Sequence, residues 1–135
     1  MPPDTLTIEG DNHRLVLEAG IVRGAIWKRP DLDNAQGAEN ARQIEVTLLA
    51  WLRHRPRGLF LDVSQGPEVA GPKTEETIGS WFEAYAHAPV PVAVQVGPSA
   101  MQKMQYQRLL TAKAGAGGRL CASEAEALAF LAQPV

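Results

Sequence analysis

The sequence predicts an α/β domain built on a mixed sheet, and three observations predict it. Short apolar segments broken by turn formers fill the chain as far as Trp27. Two continuous apolar runs, "LFLDVS" at 59–64 and "PVPVAVQV" at 89–96, read as strands covered on both faces. Helix-length amphipathic stretches separate the later strands, which argues for parallel pairing through right-handed crossovers. The predicted order is βββαβαβαβα, with the first three strands as the antiparallel part of the sheet.

Alternating Leu6 and Ile8, then Leu15 and Leu17, then the run from Ile21 to Trp27 define these first strands. Gly10, Asp11 and Asn12 suit the first turn and Ala19-Gly20 the second, since glycine and Asx residues tolerate left-handed backbone angles. Pro30, Asp31 and Asp33 mark the turn after Trp27.

From Asn34 to His54 the positions Ala41, Ile44, Leu48, Leu49 and Leu52 recur at helical spacing and predict the longest helix. Arg53, His54 and Arg55 suit its carboxyl end, and Pro56 prevents continuation. After the first central strand, the Gly- and Pro-rich loop 65–71 leads to Pro72 at the start of a second helix, whose stripe is Ile78, Trp81, Phe82 and Tyr85. Trp51 stands beside the Leu48, Leu49 and Leu52 stripe, and if exposed there it would point to a protein contact.

Ser99 and Gln102 are spaced as a capping box for a third helix running to about Ala114. Met101, Met104, Leu109 and Leu110 make no clean stripe, which predicts a wet or partner-contacting face. Gly115, Gly117 and Gly118 end this helix, "RLCA" is a short strand, and Ser123 with Glu126 cap a final helix carrying Leu128 and Leu131.

The chain of 135 residues, 45% hydrophobic and 21% charged, fits one domain spanning 1–135. Folding at this size buries enough surface to need no disulfide or structural metal, in keeping with the single cysteine, Cys121. Thirteen Lys and Arg against fifteen Asp and Glu give a net charge of -2, without the basic excess that binds phosphate backbones, so no nucleic-acid partner is expected. No apolar run has the length to cross a bilayer, and the first residues carry neither a basic nor an apolar signal region, so the expectation is a cytoplasmic protein without membrane insertion.

Signatures of catalysis are sparse. His13, His54 and His87 fall in a predicted turn and two helix ends without metal-ligand spacing, so no metal is expected. Cys121 has no neighbour in sequence that would activate it and reads as a buried thiol. "GAGG" at 115–118 lies between a helix and a strand, the reverse of the order in which amides cradle phosphate. No Walker motif, dinucleotide fingerprint or nucleophile elbow occurs, and no cofactor is expected.

Candidate ligand or phosphorylation residues therefore come from position. At the carboxyl ends of the two central strands stand Asp62, Ser64, Lys73, Thr74 and Ser99. The start of the helix at Pro72 favours an anion or a phosphorylated hydroxyl. The alternative is that Asp62 and Ser64 bond only their own turn. Glu75 and Glu76, in the first turn of that helix, would oppose an anion.

The element order, together with "GLFLDVSQGPEVAG" at 58–71 and "GRLCASEAEALAFL" at 118–131, resembles the STAS-like superfamily: the sulfate-transporter and anti-sigma-factor-antagonist domains and their stage II sporulation protein AA-like relatives. The resemblance implies a non-enzymatic bacterial regulatory domain that acts through a protein partner, controlled in some members by phosphorylation at the start of the helix after the central strand. The phosphorylated serine does not carry over. The comparable positions are Ala70 and Gly71, and the nearest hydroxyl is that of Thr74.

Two further classes stand beside this one. A small-molecule or lipid-binding module would have an apolar pocket under the helix from Asn34, in place of a flat patch. A hydrolase-like enzyme would use Ser64 or Thr74 and needs a base within reach of the hydroxyl. An exposed edge at the first strand would suit a homodimer.

Overall fold

A computed structural model describes residues 5–133. Six strands form one sheet in the order β1-β2-β3-β4-β5-β6. The strands are β1 (Thr5–Glu9), β2 (His13–Glu18), β3 (Ile21–Trp27), β4 (Gly58–Gln65), β5 (Val92–Gln95) and β6 (Gly118–Cys121). The helices are α1 (Asn34–Trp51), α2 (Pro72–His87), α3 (Ala100–Lys113) and α4 (Glu124–Leu131). The first two pairings are antiparallel and the last three parallel, so the chain is a single α/β domain with a mixed sheet in the predicted element order.

The strand order advances without reversal, and crossovers of one hand then fall on one face. There α1, α2 and α3 pack on Leu15, Val22, Leu59, Leu61, Val92 and Val94. The opposite face carries α4, which covers Ile21, Phe60, Ala93 and Cys121 through Ala127 and Leu131. Thus β4 and β5 are covered on both sides, which explains their unbroken apolar runs.

At the β2–β3 turn, Ala19 and Gly20 adopt φ of 54° and 79°. Two consecutive left-handed residues match the twist of a two-residue hairpin. Arg57 clasps this turn, donating its backbone N–H to the Gly20 carbonyl and its side chain to that of Ala19.

Several local features depart from the periodicity. α1 ends at Trp51 and tightens into a 3-10 turn over Leu52–His54. Leu49 is 42% exposed, whereas Trp51 is buried and offers no aromatic surface to a partner. His13 opens β2 and is buried, not in a turn.

The inward stripe of α3 is Gln102, Gln105, Tyr106, Leu109 and Leu110, while Met101 and Met104 face outward. Two glutamines in core positions hid a regular stripe from a hydrophobicity count. Both predicted capping boxes are one-sided. Ser99 and Ser123 accept from the backbone N–H of Gln102 and Glu126, but the Gln102 side chain goes to Gly97 and that of Glu126 to Ala122. The reciprocal box is that of α1, between Asp33 and Gln36.

Candidate functional site: a pocket between α1 and α2

Where β3 leaves the sheet its register with β4 shifts between Ala25 and Trp27. Strict alternation would send Ile26 and Trp27 to opposite faces. Beside this irregularity Ile26, Trp27 and Lys28 all border one pocket. Hydrogen bonds from Trp27 N–H to the Asn12 carbonyl and from Lys28 N–H to the Gln65 carbonyl fix the segment.

The pocket has a volume of about 430 Å³ and lies under the first half of α1. Its cause is residue size. Gly37, Ala41 and Ile44 follow one another down the pocket side of α1, and the first two are too small to reach α2. A Cβ at Gly37 would meet nothing within 4 Å. One turn beyond Ile44, Leu48 is fully buried and the packing closes. The facing wall is Thr74, Ile78 and Trp81 of α2, with Tyr106 of α3 behind.

The rim is built from two loops. In the first, Arg29 pairs with Asp31 and donates to the Asp11 carbonyl at 2.9 Å. The hydrogen-bonded guanidinium holds the Asp31 carboxyl below its ordinary value. In the second, Pro67, Val69, Ala70 and Gly71 form the edge. The two buried glutamines of α3 hold this loop. Gln105 exchanges two hydrogen bonds with Ala70, and Gln102 donates to the carbonyls of Val63 and Pro67 while accepting from Gly97 N–H.

Trp81 carries a buried side-chain nitrogen without a hydrogen-bond partner. Among the described residues, three buried side-chain nitrogens lack partners: Asn40 Nδ2, His54 Nε2 and Trp81 Nε1. Only Trp81 belongs to the pocket. Tyr106 is buried as well, which pushes its phenol well above the ordinary value and keeps it protonated.

The five residues chosen from strand ends do not converge. Thr74 lies in the pocket wall, and Lys73 is exposed in the same first turn of α2. Ser64 and Ser99 line a shallow depression off β4 and β5. Asp62 faces the α4 side of the sheet, near Arg23 and Glu124. Asp62 Oδ1 accepts from both the backbone N–H and the hydroxyl of Ser64, at 2.9 and 2.6 Å, which is the geometry of a self-satisfied turn. The hydroxyl therefore has a carboxylate in reach, but that oxygen is shared with the turn backbone.

Glu75, expected to repel an anion at α2, is turned toward α3. It pairs with Arg108 at 2.8 Å, which holds its carboxyl below the ordinary value, and it does not line the pocket. Burial pushes the Cys121 thiol up, in keeping with an inert cysteine. No group of three potential metal ligands occurs among the described residues, and no described helix is long and apolar enough to cross a membrane.

Sequence reasoning missed Trp27, Lys28, Gly37 and Trp81 as site residues. The available signal was the small pair Gly37 and Ala41 on the inward side of a helix facing large aromatics. Compared with known proteins, the chain matches no family model, no curated protein and no solved structure.

Proposed function

We propose that this protein is a small-molecule-binding module whose site is the pocket between α1 and α2. The observation that carries this reading is the pocket itself: about 430 Å³, under the helix from Asn34, walled by Ile26, Trp27, Ile78, Trp81 and Tyr106. Ligand pockets have this size range and this mixture of apolar wall and few polar groups. The only hydroxyl-carboxylate pair among the candidates, Ser64 with Asp62, lies outside it, so binding is favoured over catalysis.

The test is titration with n-octanol, a neutral apolar probe, followed by tryptophan fluorescence. Saturable binding by the native chain and its loss in Gly37→Leu, which fills the space beside α1, is the expected result. No saturable binding, or equal binding by both proteins, overturns the reading.

A second reading, a STAS-like regulatory domain acting through a protein partner, rests on a different surface. Met101 and Met104 of α3 are 58% and 70% exposed, and Met104 shares an apolar depression with Leu120 on edge strand β6. Exposed methionines at a sheet edge suit protein contact. Pull-downs with the native chain and Met104→Asp, read with intact mass for a phosphate on Thr74, test it. A partner retained only by the native chain supports it, whereas no partner and no modification removes it. The β1 edge remains the proposed contact for a homodimer, to be tested by sedimentation.

A further inference from the structure

β6 ends the sheet, and its outer edge presents backbone groups in a definite pattern. Cys121 turns its carbonyl toward β5, where it accepts from Val96 N–H. Successive residues of a strand alternate in this respect, so Leu120 directs its own N–H and C=O away from β5, into the open edge. The N–H groups on either side of it along that edge are closed off. Gly118 donates to the Gly115 carbonyl, and Ala122 donates to a Glu126 carboxylate oxygen at 3.3 Å. Between them, Leu120 offers one donor and one acceptor to a strand laid alongside.

The two faces beside that edge differ. On the α3 side, Leu120, Met104 and Ala112 form the apolar depression, with Lys103 and Arg108 around it. On the α4 side, exposed Arg119 lies over the Phe130 ring at 5.9 Å. The charge here has one sign along a long stretch of chain: residues 84–123 contain Lys103, Arg108, Lys113 and Arg119 and no Asp or Glu. Glu75 and Glu83 of α2 reach Arg108 and Lys113, whereas Lys103 and Arg119 form no ion pair with a described residue. A strand added at β6 would turn alternate side chains to these two faces. Apolar ones then meet Met104 and Leu120, and acidic ones meet Arg119, with Lys103 at the border of the depression.

We infer that the β6 edge accepts, as an added strand, an extended segment of another protein in which apolar and acidic residues alternate. The inference rests on the reading of the α3–β6 surface as a protein contact, and is independent of the pocket. Main-chain bonds to Leu120 supply affinity in this mode, and the alternate side chains supply specificity. A second copy of this chain fits less well. Two-fold pairing of β6 edges brings the basic surface of one copy against that of the other, and β1 offers a single carboxylate, Glu9, which Arg14 already holds.

The probes are two fluorescent, end-capped heptapeptides that alternate valine with glutamate or valine with lysine, read by anisotropy. The native chain is expected to bind the glutamate peptide about tenfold more tightly, the scale of two exposed ion pairs exchanged for two repulsions. Lys103→Gln combined with Arg119→Gln is expected to remove most of that preference. Leu120→Pro takes an outward N–H from the edge and none from the ladder with β5, so it is expected to lose the binding that Leu120→Val keeps. Circular dichroism verifies that each variant is folded. Equal affinities for the two peptides, a preference indifferent to the double variant, or binding that survives Leu120→Pro overturns the acidic-strand inference and leaves the protein-contact reading standing. Binding that also survives Met104→Asp overturns the contact surface itself. Binding to phosphatidylserine vesicles in place of either peptide assigns the basic surface to a membrane and overturns both.

Discussion

Gln105 grips Ala70 with both ends of its amide: Oε1 accepts from Ala70 N–H at 2.8 Å and Nε2 donates to the Ala70 carbonyl at 3.0 Å. A side chain of α3 thereby completes the backbone pairing of a loop that has no strand partner at that point. Such a loop needs its polar groups satisfied before it can hold one shape. Since Ala70 and Gly71 edge the pocket, this grip fixes the loop that leads into α2.

Gln105→Leu keeps the volume and strands both Ala70 groups. Fully buried groups left unsatisfied cost about 1–3 kcal/mol, and these are partly buried, so urea denaturation is expected to show a loss near the lower end, about 1 kcal/mol. Gln107→Leu, on the exposed side of the same helix, is the control and should move the midpoint little. Equal effects of the two changes would contradict the role assigned to Gln105.

Tyr85 joins α2 to α1 below the pocket. Its hydroxyl donates to the Leu48 carbonyl at 2.6 Å in a buried site, where α1 gives way to its closing 3-10 turn. Tyr85→Phe is expected to cost about 1–2 kcal/mol in thermal or urea unfolding, since the carbonyl stays buried when its donor goes. An unchanged midpoint would show that this bond holds nothing.

Ala19 is a non-glycine residue at φ 54° in a turn that Asn-Gly normally fills. Left-handed backbone is strained for alanine and mild for asparagine, so Ala19→Asn is expected to stabilise the fold by about 0.5–1 kcal/mol. The readout is a raised urea midpoint at constant slope. A lowered midpoint would mean that the Arg57 clasp depends on alanine.

His13 provides a pH dependence. Burial lowers its pKa below the ordinary 6.5, with the nearby Asp11 charge opposing the shift. The unfolded chain then binds a proton more readily than the folded one. Stability is expected to be full above pH about 6.5 and to fall on acidification through that value toward the lower folded pKa, below which this contribution levels off. A Cβ at Gly10 would overlap the imidazole, so the ring is packed against that turn. Stability measured from pH 7.5 to 5 in the native chain and His13→Gln checks the assignment. Identical slopes would place the dependence elsewhere.

Much of the architecture follows from the sequence alone. The paired turn residues at 19–20, the unbroken apolar runs of β4 and β5, and Pro72 at the head of α2 each act within a few residues. Local chemistry therefore suffices to place three antiparallel strands, then parallel strands joined by helices. The pocket is different in kind. It exists because the small Gly37 and Ala41 of α1 stand opposite Ile78 and Trp81 of α2, and because Trp27 and Lys28 border the same space where β3 ends. Gln102 and Gln105 look like breaks in an amphipathic pattern until the loop they hold is beside them. Glu75 looks like a charge opposing an anion until Arg108 meets it from another helix. Periodicity reports which way a residue points within its own element. The space left between elements, and the partner each polar group finds, depend on side chains distant in sequence, so only packing of α1, α2 and α3 on one face decided where the pocket lies.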